Sequence, residues 1–193
     1  ANLHGSSASI AIYFAAANAK SLTLLVTEDT ATALKLEHEL LSINDQDLDI
    51  CLFPDWETLP YDSFSPHQDI ISQRLQTLYR LSRMSKGIVI VPAHTLVHRI
   101  APKQYIEANS LLIKTGDKKD LHKMRTELEA SGYRAVEQVL EHGEFSARGA
   151  ILDLYPMGND TPYRLDFFDD EIDSIRTFDV DDQRSKDTIA SIE

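Results

Sequence analysis

Three groups of residues in this sequence have types and spacings that could do chemistry. The first is the LHGSS loop at residues 3–7, which leads into an apolar helical run from Ser9. Backbone amides at a helix N-terminus attract phosphate. Holding a triphosphate also takes glycines that admit the backbone, a lysine on the terminal phosphates and a hydroxyl on Mg2+. Gly5, Ser6 and Ser7 supply only part of that set, and no lysine precedes Lys20. The plainer reading is a helix start packed on a sheet, with no cofactor bound. The rival reading joins the loop to carboxylates such as Asp55 or Asp62 in a small NTP-binding and hydrolysing domain.

The second group has metal-like composition. The run DFFDDEID offers carboxylates suited to a hard cation, but it lacks the alternating acidic spacing and the glycine of a calcium loop. His94 and His98 stand four apart, yet Thr95 occupies the place where the HExxH pattern needs glutamate. The expectation is no metal site and no catalytic residue. Cys51 is the only cysteine and lies inside the apolar run LDICLF, which makes it a core residue and fits a reducing, cytoplasmic compartment.

The third group is arginine with aromatics. In YRLDFFDD, alternation along a strand sets Tyr163, Leu165 and Phe167 on one face and Arg164, Asp166 and Phe168 on the other. If the first face is the core, Phe168 is a large apolar side chain beside an arginine on a wetter surface, the composition of an interface anchor. Arg148, in FSARGAILDL, can join the same patch. The bland alternative pairs Arg164 with Asp166 or another carboxylate and uses Phe168 to cap the core. Alternation permits both.

Two kinds of element must position these groups. Up to about residue 108, short apolar runs (LTLLVT, LDICLF and IVIVP) alternate with helical patterns, and runs of that kind suit strands buried on both faces of a parallel sheet with helices on either side. Asp29 or Thr30 can cap the second helix, whose stripe is Ala33, Leu34, Leu36, Leu40 and Leu41. A third helix carries Ile70, Ile71, Leu75, Leu78 and Leu81. Trp56 and Leu59, in the loop before it, read as packing residues. From 109 to 193 the grammar changes to a helix capped by Asp120 and ended by Gly132, then strands joined by the turn clusters EHGE, PMGNDTP and FDDE. That pattern is a smaller α+β domain with an antiparallel sheet. The fold class is therefore α/β followed by α+β, with domains 1–108 and 109–193.

Charge narrows the partners. The 193 residues carry 31 acidic and 19 basic side chains, a formal net of −12. A surface of that sign repels a phosphate backbone, so broad DNA binding by this chain is disfavoured and a protein partner fits better. No apolar run approaches the roughly 20 residues of a membrane span, and no signal peptide opens the chain. The missing initiator Met and the ending SIE suggest a piece of something longer.

Two stretches carry a resemblance: DWETLPYDSFSPHQDIISQRL (55–75), and EHGEFSARGAILDLYPMG with PYRLDFFDDEIDSIRTFD. From about residue 20 to its end the sequence resembles the N-terminal region of the bacterial transcription-repair coupling factors. That region is similar to domains 1a and 2 of the repair helicase UvrB. The resemblance implies a degenerate helicase-like domain 1a, then a domain 2 that binds UvrA through Arg148, Arg164 and Phe168. It implies that the ATP- and Mg-dependent motor, which moves on double-stranded DNA and displaces stalled RNA polymerase, lies outside this chain. It also implies that a C-terminal domain of the longer protein covers the UvrA-binding face. Where UvrB has a working phosphate loop this sequence has LHGSSASIAI, and only about one helix separates YDSFSPHQD from GIVIVP, which leaves no room for UvrB's DNA-clamping hairpin.

Overall fold

The computed structural model describes residues 6–58, 65–108 and 112–192, with the side chains of Ser6, Ser7, Tyr105, Glu107 and Ala108 not among them. Gly5, Leu59 and Asp62 also lie outside the described residues. The chain divides into two compact units, one of residues 1–66 with 73–107 and the other of 67–72 with 108–193.

The first unit runs α1 (Ser6–Asn18), β1 (Leu22–Thr27), α2 (Thr30–Ser42), β2 (Ile50–Leu52), α3 (Gln68–Arg83, from residue 73), β3 (Gly87–Pro92), a 3-10 turn (Ala93–Val97) and α4 (Lys103–Ala108). The three strands form a parallel sheet in the order β1-β3-β2. Central β3 is buried throughout. It begins at Gly87, where φ is +146° and a Cβ would fall 2.6 Å from the Asp49 carbonyl oxygen, so only glycine fits. Tyr13, Ala16, Ala33 and Leu40 from α1 and α2 pack with Ile50, Ile88 and Ile90 of the sheet. Asp29 caps α2, accepting from the Thr32 amide at 2.7 Å, and that bond holds its carboxyl below the usual range.

Three sequence expectations change here. β1 is not buried on both faces: it is an edge strand, and Leu22, Leu24 and Val26 are exposed because no described element covers that column. The α2 stripe narrows to Ala33 and Leu40 with Leu36 half-buried beside them, while Leu34 and Leu41 are exposed. In α3 the fully buried positions are Ser72, Arg74 and Thr77, while Ile70, Ile71, Leu75, Leu78 and Leu81 are half-buried. Cys51 is buried, and burial pushes its thiol pKa up, as suits a core residue.

The second unit contains β4 (Ile113–Lys114), α5 (Leu121–Ala130), β5 (Arg134–Ala135), β6 (Glu144–Arg148), β7 (Ile151–Tyr155), β8 (Tyr163–Phe168), β9 (Glu171–Phe178), β10 (Ser185–Ile189) and β11 (Ser191–Ile192). Six strands form one sheet in the order β10-β9-β8-β7-β6-β5, and β4 pairs separately with β11. The sheet is antiparallel except at its β5 edge, which runs parallel to β6. Met124 and Leu128 of α5 close one sheet face over Phe145, Leu152, Leu154, Leu165, Phe167, Ile172 and Ile175. Asp120 caps α5 through the Lys123 amide at 2.9 Å. Among the described residues no helix is long and apolar enough to cross a membrane.

Candidate functional site

The alternation in β8 places its side chains as the sequence predicts. Leu165 and Phe167 enter the core, and Arg164, Asp166 and Phe168 project from the opposite face. The register then decides what they meet. Ser146, Asp153, Arg164 and Arg176 stand opposite one another across β6, β7, β8 and β9. A polar row thus crosses the centre of the sheet.

Asp153 is the hub of that row and is only 1% exposed. Arg164 grips it with both arms of its fork, Nε to Oδ1 at 2.7 Å and Nη2 to Oδ2 at 2.9 Å. Arg148 approaches from β6 and donates from Nη2 to Oδ2 at 2.9 Å. Arg164 also donates from Nη1 to the Gln183 carbonyl and the Ser185 hydroxyl, at 3.1 and 3.2 Å, and its guanidinium lies 5.0 Å from the centre of the Phe178 ring. The hydrogen bonds from Arg164 to Asp153 push the arginine pKa above its ordinary value. Arg164 therefore pairs with Asp153 rather than Asp166. Asp166 instead accepts from Ser174 at 2.9 Å and from Arg176.

The exposures differ sharply. The Arg164 side chain is 14% exposed and that of Arg148 59%. Phe168 is 78% exposed, beside the β8–β9 turn where Asp169 adopts φ +58°. It does not cap the core. Next to Arg148 opens a cleft of about 710 Å3, lined by Glu137, Gln138, Ser146, Arg148 and Gln183 among others. The sheet face therefore presents an outward arginine, a buried arginine and an exposed aromatic.

Sequence reasoning missed Asp153. Its signal was one acidic residue in the otherwise apolar strand ILDLY, and seeing its partner requires the β7–β8 register.

The other candidates belong to the first unit. Asp55 accepts from Thr95 Oγ1 at 3.0 Å and lies 3.3 Å from His94 Nε2. Burial alone would raise its pKa, but the Glu57 amide and the Thr95 hydroxyl outweigh that and hold the carboxyl below its usual range. His94 thus points to Asp55, and His98 ends the 3-10 turn. The Arg74 guanidinium lies 4.0 Å from the Trp56 ring centre and 4.2 Å from that of Phe53, in keeping with a packing role for Trp56. Burial lowers the Arg74 pKa to about 10. Lys20 follows the far end of the 13-residue α1, roughly 20 Å along the helix from Ser6 at 1.5 Å per residue. Among the described residues no three His, Cys, Asp or Glu gather as metal ligands.

Comparison with known proteins shows what the chain is similar to. Residues 111–193 match the UvrB interaction domain. A transcription-repair-coupling factor of Haemophilus influenzae is 61% identical over 173 residues, covering 90% of this chain and 15% of the relative. The Escherichia coli factor of the same name is 52% identical over 169 residues, 88% of this chain and 14% of the relative. The Bacillus subtilis factor is 31% identical over 192 residues, 100% of this chain and 16% of the relative. The chain thus spans about 15% of the length of the relatives it matches.

Proposed function

We propose that the chain is a docking module for UvrA, on the match of residues 111–193 to the UvrB interaction domain and the similarity of most of the chain to transcription-repair-coupling factors. The docking surface is the polar face of the six-stranded sheet, with Arg148 and Phe168 as its outward residues and Arg164 as the buried member of the set. In the longer protein this module brings UvrA to lesions where RNA polymerase has stalled. The ATP- and Mg-dependent motor and the contacts with polymerase and double-stranded DNA reside in other parts of that protein, and a C-terminal domain covers the docking face until it is needed. The first unit is a degenerate helicase-like domain 1a that carries no ATP hydrolysis of its own, in line with the distance between Ser6 and Lys20.

One observation carries this reading. Phe168 stands 78% exposed on the same sheet face as an arginine whose outward donors find no acceptor among the described residues. A large apolar side chain in water gains by burial, about 2 kcal/mol for a phenylalanine taken out of solvent. Isothermal calorimetry of UvrA against the chain tests it: Phe168→Ala is expected to weaken binding at least tenfold while leaving the melting temperature within about 1 °C. Unchanged affinity would reject Phe168 as an anchor.

A further inference from the structure

We infer that Asp153 is the positioning residue of this face: it holds Arg148 so that the outward N–H groups of that arginine meet a carboxylate of the partner, while Arg164 serves as internal support. The inference rests on the docking reading above and adds the chemistry of the partner group.

The geometry separates the two arginines. Asp153 lies in β7, in the interior of the sheet, and is almost fully buried. A buried carboxylate must be paired and hydrogen-bonded or it is strongly destabilising. Arg164, directly opposite in β8, meets that need with its fork, and its Nη1 donors turn to Gln183 and Ser185. A guanidinium has five N–H groups, and these four bonds leave Arg164 little to offer a partner. Arg148 is the reverse case. It gives one N–H to the same Oδ2, is more than half exposed, and has no other acceptor among the described residues.

Charge points the same way. Two guanidinium groups on one carboxylate leave a local excess of +1 on the sheet face. Residues 110–193 as a whole carry 19 acidic against 11 basic side chains. A positive point on an acidic surface selects an acidic group, and a planar fork with free N–H groups fits a carboxylate. The Asp153 bond also fixes the arginine before binding, so less side-chain freedom is lost in the complex.

A double-variant cycle against UvrA tests this in the full 193-residue chain. Arg148→Ala is expected to lose roughly tenfold in affinity, the size of a charge-assisted hydrogen bond. Asp153→Asn is expected to lose a similar amount, and the two together no more than Arg148→Ala alone. A merely structural defect at Asp153 would add to the Arg148 loss instead of vanishing with it. Wild-type affinity for Asp153→Asn, or additive losses, would overturn the inference. Because Asp153→Asn removes a buried charge and can compromise folding, the wild-type chain gives a second reading. NMR relaxation of the Arg148 Nε–H is expected to show a side chain nearly as restricted as that of Arg164, and a freely rotating Arg148 overturns the inference. If Arg148→Ala and Phe168→Ala both leave UvrA binding intact, the docking reading itself fails, a result distinct from failure of the Asp153 role.

Discussion

Arg164 directs four N–H groups inward, two of them onto a carboxylate that water hardly reaches. Its loss therefore acts first on stability. Removing one partner of a buried ion pair leaves the other charge uncompensated, which costs about 3 kcal/mol or more. Arg148 keeps one bond to Asp153 and moderates the penalty. Arg164→Ala is expected to lower the free energy of unfolding by about 3 kcal/mol in urea titration, and a change under about 0.5 kcal/mol, the ordinary range for surface substitutions, would contradict the hub geometry. Weaker UvrA binding in that variant would follow from a disordered face as much as from a lost contact. The faces of YRLDFF were legible in the sequence because strand alternation depends on nothing outside the strand. Asp153 was not, since its partner depends on the register between two strands joined by the 156–162 connection.

Between β5 and β6, one side chain organises a whole turn. Glu144 at the start of β6 accepts from the Leu140 and Glu141 amides at 2.8 and 2.9 Å and from Arg134 Nη2 at 2.6 Å. Burial pushes its pKa up, but the two amides and then Arg134 outweigh this and leave it below the ordinary 4.5. A carboxyl depressed on folding contributes stability above its unfolded pKa and loses it as pH falls through the folded value. Glu144→Gln is accordingly expected to melt lower than wild type at pH 7, with the gap closing below about pH 4 as the wild-type carboxyl protonates. A gap that stays constant from pH 7 to pH 3 would contradict this. The β5 edge shows why sequence reading stops short here: the run YRAVEQVL before the EHGE turn reads as a strand, yet the strand is only Arg134–Ala135, and the Leu140 and Glu141 amides turn to the Glu144 carboxylate. β1 shows the opposite failure. LTLLVT has the composition of a doubly buried strand, but composition cannot tell which sheet edge is left uncovered among the described residues.

At the scale of the molecule, two separate cores serve the two units. The parallel sheet buries its apolar residues around β3, and the larger sheet uses one face for its core and the other for the arginine–carboxylate row. An overall charge of −12 disfavours non-specific contact with nucleic acid and leaves the arginine-bearing face as a local exception. The measurement that bears most directly on this account is calorimetric titration of UvrA onto the chain carrying Arg148→Ala and Phe168→Ala together. The account predicts a loss of at least a hundredfold in affinity with the fold intact by circular dichroism. Binding as tight as wild type would place the UvrA surface elsewhere on the molecule.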